Sequence, residues 1–356
     1  MFRIRWIVTA ALGAVFLGCS NAPQEHPVSS GGTAGGQDAG LEASGGGVGG
    51  CSIASDPQNC GVCGRTCQGA ECVDGLCAPT VLHTPPRVNN GISLAVHGGY
   101  AYWGNIYDEI QRVPVVGGEA ELLYDAAQSV RGLTAVGEEL YWAEYHRGDV
   151  VSMSVTGGPP TLLSSTGGGP RTLTLIEGEP HLYVGLYDID QVVRIPSQGG
   201  SAEVLSTGEL GVSGMTSDAT TVVWVNMKAG QVRKLDKATL QVSTIAEGQA
   251  EPVDVALQGE HVYWTNWSSQ QNGISRVPLA GGSVESVASA IAALGIGSDG
   301  VHLYWTAKDS VWRLPLEGGS ALLLAISPNQ PRPLVVDDAW VYWMGFDDGV
   351  LQKVAK

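Results

Sequence analysis

Residues 92–123 read ISLAVHGGYAYWGNIYDEIQRVPVVGGEAELL, four short apolar runs separated by turn residues. Ile92 to Val96, Tyr100 to Trp103, Ile110 to Val115 and Glu119 to Leu123 are strand-length, and Gly98-Gly99, the polar stretch Asn105 to Glu109 and Gly117-Gly118 divide them. Neighbouring Tyr102 and Trp103 face opposite sides of their strand, so both sides must be buried, as in a sheet sandwiched between two others.

Working outward, the aromatic mark returns as Tyr141-Trp142, Tyr183-Val184, Val223-Trp224, Tyr263-Trp264, Tyr304-Trp305 and Tyr342-Trp343, with its second members 39, 42, 40, 40, 41 and 38 residues apart. A period near 40 with four strands per unit predicts an all-β, seven-bladed β-propeller over residues 80–356. At regular mid-strand positions the aromatics read as packing rather than as a ligand cage. Gly117-Gly118 recurs as Gly157-Gly158, Gly199-Gly200, Gly281-Gly282 and Gly318-Gly319, and predicts two-residue hairpins of the mirror-image type. Proline at Pro114, Pro196, Pro278 and Pro315 cannot donate to a ladder, which predicts an interrupted or bulged third strand. The seventh unit ends at Lys356 before any fourth strand. Thr80 to His83 is expected to complete that blade and close the ring.

Upstream the composition changes. Residues 1–18 join a basic head, Met1 to Arg5, to an apolar run too short to span a bilayer, which reads as an export signal. It ends in Phe16-Leu17-Gly18-Cys19, which resembles the lipobox of bacterial lipoproteins; that resemblance implies acylation at Cys19 and, with Ser20 next, the outer membrane. Residues 19–50 are rich in Gly and Ser and read as a flexible tether. Residues 51–79 hold Cys51, Cys60, Cys63, Cys67, Cys72 and Cys77, an even number in an exported chain, which reads as three disulfides with the pairing open. Cys60-x-x-Cys63 fits half of a zinc site, but no second spaced pair or nearby histidine accompanies it.

Only 15% of residues are charged, and losing Arg3 and Arg5 with residues 1–18 takes the net charge from −16 to −18. So acidic a chain argues against nucleic acid and against electrostatic docking on anionic lipid. A monomer without cofactor is expected.

Residues 80–356 resemble the YWTD propellers of lipoprotein receptors through Tyr-Trp followed by Ile-x-Arg-like patterns near Arg112, Arg276 and Arg313. Here Gly104-Asn105 or Thr265-Asn266 stands where that family keeps Thr-Asp, and seven units replace six. The resemblance implies the fold and not those receptors' ligands. The whole layout resembles bacterial surface lipoproteins, which implies location.

Chemistry is expected at the propeller mouth, in the loops Asn105 to Glu109, Glu144 to Asp149, Tyr187 to Asp190 and Asn266 to Asn272, which differ from blade to blade. Just before the innermost strands, Asn90, Arg131, Arg171, Ser213, Glu251, Ala292 and Arg332 read as one ring. Its arginines could hold an anion, or could pair with Glu251 as the simpler alternative. A second ring reads Ser93, Thr134, Thr174, Thr216, Asp254, Gly295 and Val335, with Asp254 bonded to a neighbouring hydroxyl, or acting as a base or metal ligand. Glu144, His146 and Asp254 are the candidate acid–base groups for a lyase or hydrolase, although a solvated loop histidine is the simpler reading of His146. Gly295 to Gly300 matches a dinucleotide fingerprint by letter, yet it leads into a strand and not a helix. The favoured expectation is a binding or scaffold module for a protein, peptide or glycan.

Overall fold

A computed structural model describes residues 52–62, 64–86, 90–106, 109–125, 129–268 and 273–356. The export signal, Cys19, the tether, Cys51 and Cys63 lie outside the described residues.

Seven four-stranded antiparallel sheets form the propeller, six of them built from consecutive strands. In the first, Gly91–His97, Tyr100–Asn105, Glu109–Pro114 and Glu121–Asp125 follow one another outward from the axis. The seventh combines Pro331–Val336, Trp340–Gly345 and Leu351–Ala355 with Thr80–His83, so the amino-terminal strand closes the ring as expected. Among the described residues no helix is long and apolar enough to cross a membrane.

The aromatic marks are the seams between blades. Tyr102 of blade 1 packs in one cluster with Trp142 of blade 2, Tyr183 with Trp224, Tyr263 with Trp305, Tyr304 with Trp343, and Tyr342 with Trp103 across the closure. The six tryptophans at these marks are essentially solvent-free. Each such ring removes about 150–250 Å² from water, worth roughly 4–6 kcal/mol at ~25 cal/mol per Å². Four indoles also find acceptors: Trp142 donates to Glu144 (3.2 Å), Trp224 to Glu209 (2.9 Å), Trp264 to Gln249 (3.2 Å) and Trp343 to Ser327 (3.0 Å).

Two local expectations are corrected. The recurring prolines neither interrupt nor bulge the third strand; they end it, with Pro114 paired to Tyr100 and Pro315 to His302. The bulges lie farther up, between Ile110 and Gln111 in blade 1 and between Val311 and Trp312 in blade 6. Nor are the Gly-Gly pairs two-residue hairpins. The Pro114 carbonyl accepts the Gly117 N–H at 2.9 Å, closing a four-residue turn inside a longer connection, and Gly117 sits at φ 95°, where a Cβ would be strained.

The cysteine segment carries the Cys60–Cys72 and Cys67–Cys77 disulfides, with Cα separations of 5.6 and 5.2 Å. Three of these cysteines cluster tightly enough to suggest a metal site, but all four sulfurs are bonded and none is a free thiolate. The disulfides mark an oxidising, extracytoplasmic compartment. They share one apolar cluster with Leu324 of blade 6 and Val354 of blade 7, and the buried Arg65 donates to the Ala355 carbonyl at 3.1 Å. The segment is therefore docked on the propeller edge.

Candidate functional site

The innermost strands set the site. The chain kinks at positive φ one residue before five of them, at Asn90, Ser129, Gly211, Glu251 and Gln330, and four residues before the blade-6 strand, at Ala292; Gly169 holds the kink position of blade 3 without a positive φ. In every blade but the sixth the ladder then slips by a bulge. Counting from this kink, the next-but-one residues form a ring: Ile92, Arg131, Arg171, Ser213, Val253, Leu294 and Arg332. All seven line one cavity of about 520 Å³. Contributions from every blade put the cavity on the propeller axis, and Ile106 and Phe346 from the second-to-third-strand loops put it at the mouth.

The ring differs from the sequence expectation in three blades. Asn90, Glu251 and Ala292 are the kink residues, and Ile92, Val253 and Leu294 take the ring positions. Glu251 is exposed, and it makes no ion pair with Arg131, Arg171 or Arg332. The second ring becomes Ser93, Gly132, Thr172, Gly214, Asp254, Gly295 and Pro333. Small residues there are a packing requirement: a Cβ on Gly214 would stand 2.6 Å from the Asp254 Cα.

The three arginines have aromatic partners instead of acidic ones. The Arg131 guanidinium lies 5.1 Å from the Tyr145 ring centre, Arg171 4.6 Å from Tyr187 and Arg332 3.7 Å from Phe346. Backbone geometry enforces these pairs. Tyr145, Tyr187 and Phe346 each donate their N–H to the kink carbonyl of their own blade, at Ser129, Gly169 and Gln330, over 3.0–3.2 Å. That bond fastens the aromatic beside the arginine two residues beyond the kink. The Lys228 ammonium adds a second cation 4.1 Å from Tyr187.

Burial, and next the charge of Arg171, hold the Arg131 and Arg332 guanidiniums below the ordinary arginine range. All three guanidinium-bearing residues line the one cavity. No carboxylate stands within 4 Å of any of the three among the described residues, and the Nε atoms of Arg131 and Arg332 are buried with no hydrogen-bond partner. An unmet buried donor costs about 1–3 kcal/mol.

Asp254 is the acid of the cavity. It accepts the Val255 N–H at 2.9 Å and the Ile296 N–H at 3.2 Å, backbone amides in place of the expected hydroxyl. The residue as a whole is partly exposed, but burial of the carboxyl dominates and pushes its pKa up to about 6. Glu144 and His146 do not line the cavity. Glu144 is buried beneath Trp142 with Arg147 3.5 Å away, and burial raises its pKa. His146 is exposed, edge-on to Tyr145. The repeating Arg112, Arg194 and Arg276 tie the third strand to the fourth through Glu121, Glu203 and Glu285, at 2.7–2.8 Å.

Sequence reading placed Tyr145 and Tyr187 in the mouth loops without a role and missed Phe346, although a signal existed. They stand three residues after the aromatic mark in blades 2, 3 and 7, the blades whose ring residue is arginine.

No protein-family profile matches the chain. Among solved structures, a virginiamycin B lyase from Staphylococcus aureus superposes with TM-score 0.67 at 13% identity, covering 78% of this chain and 99% of that one. A streptogramin B lyase gives TM-score 0.65 at 12% identity over 78% and 97%. The computationally designed Ika8 protein gives 0.56 at 14% over 78% and 99%. At such identities the likeness speaks for the fold.

Proposed function

We propose that the chain is a lipid-anchored, extracytoplasmic binding module of the bacterial outer membrane that receives a protein, peptide or glycan ligand at the propeller mouth. The axial cavity of about 520 Å³ carries this reading, because its size suits a ligand group and its walls come from the positions that differ between blades. The lipobox-like Leu17-Gly18-Cys19, the glycine-rich residues 19–50 and the two disulfides support the location. Two measurements test it. Cys19→Ser is expected to move the protein from the membrane to the soluble fraction, and an unchanged membrane fraction would refute the anchor. Ser213→Trp, which fills the cavity, is expected to abolish binding to a glycan and peptide array, and undiminished binding would place the ligand elsewhere.

A lyase or hydrolase acting at the mouth is the second reading, favoured by the likeness of fold to the two lyases and by the position of Asp254 in the cavity. Turnover of any substrate that survives Asp254→Asn, Glu144→Gln and His146→Ala together would remove it.

A further inference from the structure

Three cations lining one cavity with no carboxylate within 4 Å among the described residues are unusual on a chain of net charge −16. Arg131, Arg171 and Arg332 come from blades 2, 3 and 7, and all three enter the one axial cavity. Each guanidinium is laid against an aromatic face, at 5.1, 4.6 and 3.7 Å, which fixes its plane and leaves its donors unused by the protein. The Nε atoms of Arg131 and Arg332 confirm this, being buried and unbonded. Arginine matches planar oxyanions through paired parallel hydrogen bonds, and a carboxylate is the planar oxyanion whose two oxygens fit that fork.

Charge balance limits the ligand further. Among the residues that line the cavity, three guanidiniums face the one carboxylate of Asp254, while Lys228 beside Tyr187 and Asp347 near Arg332 offset each other, so an excess of two positive charges remains when both acids are ionised. A ligand bearing two carboxylates restores neutrality. The acidic remainder of the surface repels a long polyanion, so the charges must belong to something the cavity can enclose. From this geometry, and resting on the reading of the mouth as the binding site, we infer that the cavity recognises a ligand presenting a pair of carboxylates, clamped by Arg131, Arg171 and Arg332. Such a pair can come from a free polycarboxylate or from the acidic end of a glycan.

Calorimetric titration of the full chain tests this with tricarballylate, digalacturonate, the trimethyl ester of tricarballylate and inorganic phosphate. Saturable binding of either carboxylate, with the ester silent, is the expected result, and the tighter of the two names the source. Arg131→Gln, Arg171→Gln and Arg332→Gln should each weaken that binding about ten- to hundredfold. Asp254→Asn should strengthen it several-fold by removing the opposing charge, a gain that misfolding could not produce. Absence of carboxylate binding at about 10 mM, far above a usable affinity, overturns the inference. So does phosphate binding as tightly as the carboxylates, or affinity indifferent to the three substitutions. If the arginine variants still bind an array ligand that Ser213→Trp loses, the mouth is a binding site and only the carboxylate assignment fails.

Discussion

Four donors converge on the buried Glu209 carboxylate: the Trp224 indole at 2.9 Å, the Asn226 amide at 2.6 Å, the Ser206 hydroxyl at 2.5 Å and the Arg233 guanidinium at 3.1 Å. Removing the acceptor leaves these donors stranded between blades 3 and 4, and Glu209→Ala should cost about 3–5 kcal/mol in urea unfolding, with Glu209→Gln losing less. Asp254 has the opposite sign. Burial lifts its pKa from 3.8 to about 6, so folding disfavours its ionised form, and this cost is absent below pH 4, grows between pH 4 and 6 and is complete above. Asp254→Asn should therefore raise unfolding stability by something of order 3 kcal/mol at pH 8 and by nothing at pH 3.5. A gain that is flat across this range would show that the carboxyl is solvated.

At the scale of elements, the strand Thr80–His83 supplies the outer edge of blade 7 by pairing Thr80 with Lys353 and His83 with Leu351. Leu82 is nearly buried there in the cluster of Trp103 and Tyr342, so Leu82→Ala should cost about 2–5 kcal/mol. A chain starting at residue 84 should expose the Leu351–Ala355 edge and aggregate, as light scattering would show. This closure was legible in the sequence because a missing strand at one end and a spare one at the other are both visible by counting. Blade number was legible for the same reason: Trp103 and its six counterparts, five of them tryptophan and one Val184, are apolar, central and regularly spaced. The arginine ring was legible in its members Arg131, Arg171 and Arg332 but not in its register. A residue at positive φ followed by a bulge breaks the two-residue alternation that counting relies on, and Glu251, Asn90 and Ala292 were displaced by two positions for that reason. The aromatic braces escaped because their position, three residues after the mark, holds Ile106, Met227, Trp267 and Lys308 in the other blades, so the trace they leave does not repeat around the ring.

At the scale of the molecule, the cysteine segment belongs to the propeller, since its disulfides sit in the same apolar cluster as Tyr304 and Trp343. Replacing Cys60 and Cys72 together by serine removes a 12-residue cross-link and should cost about 3 kcal/mol. Hydrogen exchange should show the loss first in Leu322–Ile326 and Leu351–Ala355, with blades 2 to 4 unchanged. The two bridges overlap, Cys67 lying inside the Cys60–Cys72 loop and Cys77 outside it. Tension applied between the amino-terminal side of Cys60 and Lys356 thus runs through sulfur instead of unravelling backbone, and arrives at Thr80, which lies antiparallel beside Lys353, so that it peels the closing strand from its partner one pair at a time. In single-molecule stretching between the two termini, the cysteine segment should hold as a stiff unit while the closing strand peels away, and the blades should pay out after it; under reductant the residues between Cys60 and Cys77 should extend first.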